Sequence, residues 1–70
     1  MQSLRVNGQV RQFPAQEMPA TLAALLEKLG VEAATVVAEV DGRIIRPAEF
    51  ACTPLADGQN IELVKFMGGG

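Results

Sequence analysis

Seventy residues, 49% of them hydrophobic and 20% charged, specify one small domain with material for a core and no room for a second. The formal charge is -2 at pH 7, and the six basic residues, Arg5, Arg11, Lys28, Arg43, Arg46 and Lys65, form no run. A nucleic-acid partner, which needs a clustered basic footprint, is therefore not expected.

The first strand is expected over Ser3 to Val6, because Asn7-Gly8 follows it and both positions of that pair accept positive φ. Gln9 to Phe13 then returns as the second strand, Pro14 ends it, and a loop runs to Pro19. Thr21 is the natural N-cap of a helix reaching Leu29. Leu22, Leu25, Leu26 and Leu29 lie at i, i+3, i+4 and i+7, one apolar stripe that predicts the centre of the core. Gly30 supplies the left-handed stop. Val36 to Val40 reads as a strand, Asp41-Gly42 as a second tight turn, and Arg43 to Ile45 as a short strand that Pro47 halts. Ala48 to Leu55 is read as irregular, with Phe50 and Leu55 turned inward. Asp57-Gly58 makes the last turn before a strand from Asn60 to Phe66.

Hairpin, helix, hairpin and final strand imply an α+β fold, because a helix between two β pairs has to cover one face of their sheet. Placing the last strand between the hairpins, parallel to the first, gives a mixed sheet of about five strands on one helix. That arrangement is the β-grasp, or ubiquitin-like, fold, expected over residues 1–66, with 67–70 as a flexible C-terminal glycine tail. Along the last strand, Ile61 and Leu63 should meet the helix, while Glu62, Val64 and Phe66 should face away from it. Apolar side chains on an open sheet face beside the tail suggest a docking patch.

Catalytic groups are scarce. The chain has no His, Tyr or Trp, and its eight acidic residues show no convergent pair in the sequence. The lone cysteine, Cys52, has no disulfide partner, no metal spacing and no neighbouring base, and is expected to be packed and inert. That cysteine usage agrees with a reducing, cytoplasmic setting, which is the expectation. The start, Met1-Gln2-Ser3-Leu4-Arg5, lacks a signal-peptide layout, and no apolar run is long enough for a bilayer. What remains is the α-carboxylate of Gly70. Behind it Gly68 and Gly69 form an arm without side chains that can thread a narrow channel, and the four residues after Phe66 reach about 13 Å at about 3.3 Å each. A carboxylate becomes a good electrophile only after attack on the α-phosphate of ATP, and this chain has no means of building the magnesium–ATP site required. It is therefore read as the substrate of another protein's enzyme, with no cofactor of its own.

Taken together, Val6-Asn7-Gly8, Thr21-Leu22 with Leu25-Leu26 and Leu29-Gly30, Glu39-Val40-Asp41-Gly42 with Ile44-Ile45, Leu55-Ala56-Asp57-Gly58, Ile61-Glu62-Leu63-Val64 and Gly68-Gly69-Gly70 resemble the ThiS family of sulfur carriers. The resemblance spans essentially the whole chain. It departs at Arg46-Pro47, where the family often has Pro then Arg, and at Gln59, where an acidic residue is usual. The resemblance implies that a ThiF-like adenylyltransferase, using ATP and Mg, adenylates Gly70. A sulfur donor such as a cysteine desulfurase then supplies the sulfur of a C-terminal thiocarboxylate, and a ThiG-like thiazole synthase receives it for thiamine. It also implies that Gly69 and Gly70 are the functional diglycine, that Val64, Phe66 and Met67 dock on both partners, and that the free carrier is a monomer. A carrier for molybdopterin or sulfur amino-acid synthesis, a ubiquitin-like modifier of lysines, and a binding module with an inert tail share these features.

Overall fold

In a computed structural model, residues 1–66 are described, and among them five strands and one α-helix form a mixed sheet with the helix on one face. The strands are β1 (Gln2–Val6), β2 (Gln9–Phe13), β3 (Val36–Val40), β4 (Arg43–Ile45) and β5 (Asn60–Lys65), and the helix is α1 (Leu22–Leu29). The order across the sheet is β2-β1-β5-β3-β4. The last strand thus lies between the hairpins, parallel to β1 and antiparallel to β3, as the element order implied.

Local chemistry sets most of these boundaries. Asn7 and Gly8 take φ of 50° and 84°, and Asp41 and Gly42 repeat those values. This is the geometry of a two-residue turn whose twist matches the flanking strands. The Thr21 hydroxyl accepts a hydrogen bond from the Ala24 N–H at 3.1 Å, and Gly30 closes the helix at φ 72°. Leu22, Leu25 and Leu26 are fully buried against Leu4, Val6, Ala38 and Ile61. Leu29, at the end of the stripe, is only half-buried.

The sequence reading differs at several points. A short 3₁₀ helix, Ala15–Glu17, interrupts the expected loop, and a longer one, Pro47–Cys52, replaces the expected irregular segment. Within the second, Phe50 is buried, as its inward reading required, and Leu55 packs at the core margin. Cys52 is exposed and not packed. With three residues per turn, Phe50 takes the inward side of the segment, which leaves Cys52, two residues on, to solvent. At the third turn only Gly58 has positive φ, and the turn leads into β5 without forming a hairpin.

Both hairpin turns also hold β5 through their first side chains. The Asn7 amide donates to the Leu63 carbonyl at 3.1 Å, and its oxygen accepts from the Leu63 N–H at 2.7 Å, which extends the β1 ladder. Asp41 accepts from the Asn60 N–H at 2.9 Å and from the Gln59 side chain at 3.3 Å. The partners explain the residue types: Asn7 must both donate and accept, whereas Asp41 only accepts. Asn7→Asp should therefore cost about 1–3 kcal/mol, because it sets a carboxylate against a carbonyl. Asp41→Asn keeps an acceptor for the Asn60 N–H and loses only the longer, exposed contact with the Gln59 side chain, so it should cost less, within about 0.5 kcal/mol. Urea midpoints of the two variants test this, and equal losses would contradict the assignment.

Candidate functional site

The strand that leads into the tail lies beside both hairpins, so its alternation distributes side chains between the two faces of the sheet. Ile61 is fully buried and Leu63 half-buried under the helix, as expected. Glu62 and Val64 point away from it, Val64 at 59% exposure. Phe66 lies one residue beyond the end of β5, not inside the strand. Its N–H donates to the Thr35 carbonyl at 3.0 Å, and its ring is 48% exposed. Val64 and Phe66 are thus both exposed at the end of the last strand. Met67, Gly68, Gly69 and Gly70 lie outside the described residues.

The patch is larger than the sequence reading allowed. Val37 on β3 is the register partner of Val64 and is 41% exposed. Ile44 on β4, at 69%, sits opposite Glu39 on the same open face. Both were legible in principle: Val37 is out of phase with buried Val36, Ala38 and Val40, and a two-residue Asp41-Gly42 loop fixes Ile44 opposite Glu39. The acidic residues also differ from expectation. Glu39 and Glu62 are direct register partners on β3 and β5, a convergent pair that 22 intervening residues hide in the sequence. Like charges directly opposite are mildly unfavourable, so this pair lowers stability slightly where it adjoins the apolar patch.

The open face therefore carries Val37, Val64 and Ile44 around two carboxylates, with half-exposed Phe66 just past the end of β5. Nothing in that set is a nucleophile with a base beside it. Among the described residues no three His, Cys, Asp or Glu side chains gather as a metal site would need. No helix among the described residues is long and apolar enough to cross a membrane. The arrangement suits recognition of another protein.

Comparison with known proteins gives the same direction. The ThiS family model matches residues 4–70. A crystal structure of the thiamine biosynthesis protein ThiS from Geobacter metallireducens superposes with a TM-score of 0.81 at 33% identity, covering 97% of this chain and 99% of that one. A solution structure of a thiamine biosynthesis protein from the same organism gives 0.77 at 32% identity, covering 97% and 87%. A thiazole synthase of Paramagnetospirillum magneticum is 37% identical over 67 residues, or 96% of this chain. The chain spans 20% of the length of that curated relative.

Proposed function

The chain belongs to the ThiS family, and we propose that it is a sulfur carrier of thiamine biosynthesis that works through the carboxylate of Gly70. In this reading an adenylating partner binds ATP and Mg, and the Gly70 carboxylate attacks the α-phosphate, releasing pyrophosphate and leaving an acyl-adenylate. A sulfide equivalent adds to the acyl carbon, AMP departs with the C–O bond electrons, and a thiocarboxylate remains. A thiazole synthase then takes that sulfur into its ring product. The chain supplies the electrophilic carbon, the arm that delivers it and the surface that positions it.

The observation that carries this reading is the family match, which runs through Gly70 and so includes the three glycines. The placement of Val64 and Phe66 beside the base of the tail supports it. A thiazole synthase relative containing a segment similar to 96% of this chain favours thiazole synthesis over molybdopterin or sulfur amino-acid synthesis as the destination. A cysteine desulfurase is the proposed ultimate donor.

The test is the intact mass of the protein after incubation with its cognate adenylating enzyme, Mg-ATP and sulfide. A gain matching one oxygen exchanged for sulfur is expected. No gain, with a known carrier loading in parallel, would leave a binding module as the better account.

Phe66→Asp addresses docking. The ring is only half-buried, so its loss should cost at most about 1 kcal/mol of stability. Its removal from an aromatic-centred patch should weaken binding to the adenylating enzyme by about ten-fold or more. Titration calorimetry beside a thermal melt separates the two. A large stability loss with binding intact would assign Phe66 to the core.

A further inference from the structure

The basic residues that are scattered in the sequence are partly gathered by the fold. Arg11 on β2, Lys28 in the last turn of α1 and Lys65 at the end of β5 line one open groove of about 550 Å³ at the C-terminal end of the helix. Half-buried Leu29, Val31 and Leu63 give it an apolar floor, and Glu32 is the acid on its lining. An otherwise acidic chain thus places half of its six cations around a single groove. Among the described residues the ion pair present is Arg46–Glu49, neither of which lines the groove, so none of the three cations is paired with a carboxylate there. Lys28 instead holds its ammonium 5.9 Å from the centroid of the Phe13 ring. The negative end of the helix accounts for Lys28 on its own, but not for Arg11 or Lys65, which come from two different strands.

We propose that this groove is a second docking surface, which receives an acidic segment of the adenylating partner that takes up the tail. The inference rests on the carrier reading above and adds the chemistry of the partner. An apolar floor under a cationic rim suits a chain segment whose carboxylates reach the rim while its apolar side chains cover the floor. Position supports the same occupant. Leu63 and Lys65 alternate along β5 with Glu62 and Val64, so the groove and the apolar patch occupy opposite sides of the strand at the base of the tail. A partner that encloses the tail meets both. The two sides differ in charge pattern: the open face sets Glu39 against Glu62 beside the apolar residues, with Arg5 towards β1, whereas Arg11, Lys28 and Lys65 outnumber Glu32 around the groove. Matching that polarity fixes which way round the carrier enters, and steers its approach. Three cations on a chain of net charge -2 are too few for a nucleic-acid track.

The test measures association of the intact protein with the cognate adenylating enzyme at low and high salt. It compares wild type, the double variant Arg11→Glu/Lys28→Glu, the neutral double variant Arg11→Gln/Lys28→Gln, and Phe66→Asp. Both double variants change exposed positions, and circular dichroism checks that they fold. The charge reversal should weaken binding about thirty-fold at low salt, mostly through the on-rate, with a flatter salt dependence. The neutral variant should fall between it and wild type. Reversal without effect on affinity or salt slope, while Phe66→Asp still weakens binding, overturns the groove and leaves the carrier reading standing. Saturable binding of inorganic phosphate in the groove, with enzyme affinity unchanged by reversal, overturns it in favour of a small-anion site. Failure of the wild-type protein both to bind the enzyme and to load sulfur overturns the carrier reading and this proposal together.

Discussion

Gly69→Ala, or one residue added after Gly70, is expected to reduce sulfur loading at least about 100-fold while leaving the fold and its melting temperature unchanged. The added residue moves the reactive carboxylate about 3.3–3.6 Å along an extended chain and takes it off Gly70 altogether. Alignment of reacting groups is sensitive enough that a misplacement of about 1 Å can cost 100-fold. Gly69→Ala puts a Cβ into an arm whose proposed route is too narrow for one, and removes the backbone freedom that glycine provides there. Stability should not follow, because every fully buried side chain among the described residues lies between Leu4 and Ile61. Intact mass after incubation with enzyme, Mg-ATP and sulfide reads loading, and a thermal melt reads the fold. Normal loading by either variant would remove the tail from the mechanism.

The parts of the structure that were legible in the sequence are those whose causes are local. Asn7-Gly8 and Asp41-Gly42 announce their turns because two consecutive positive φ values select those residue types. Thr21, the leucine spacing and Gly30 bound the helix to the residue, since cap, stripe and stop lie within ten positions of one another. Once these were placed, hairpin–helix–hairpin–strand left β5 one simple position. What stayed hidden depends on residues far apart meeting across the sheet. The Glu39–Glu62 pair exists only in the β3–β5 register, and the groove cations only when β2, α1 and β5 converge. The Asn7 amide shows its second role only beside Leu63, 56 positions away. Cys52 was misplaced for another reason. Small cysteines are usually buried, and nothing in Pro47–Cys52 announced a three-residue period that would spend its inward position on Phe50.

Phe50 is where that segment contributes most, and Phe50→Ala should be the most damaging single change in the described domain. Its side chain is the largest fully buried one, and the 3₁₀ helix that bears it packs directly on α1. The neighbouring chain is tied to the helix start through Leu22 N–H to Thr53 carbonyl at 2.9 Å and Leu55 N–H to Ala20 carbonyl at 3.0 Å. Those bonds resist collapse into the space the ring leaves. The cost should therefore fall in the usual Phe→Ala range of about 3–5 kcal/mol. A domain of this length holds roughly 4–10 kcal/mol in total, so the substitution removes most of its margin. The melting temperature should drop by about 12–40 °C at about 4–8 °C per kcal/mol. Cys52→Ala, two residues on and exposed, should stay within about 0.5 kcal/mol and serves as the control. Equal melting temperatures for the two variants would mean that Phe50 does not anchor the core. The pair also separates stability from chemistry. Phe50→Ala should lose sulfur loading only in proportion to its unfolded fraction, so cooling should restore it, whereas no temperature should restore loading to Gly69→Ala.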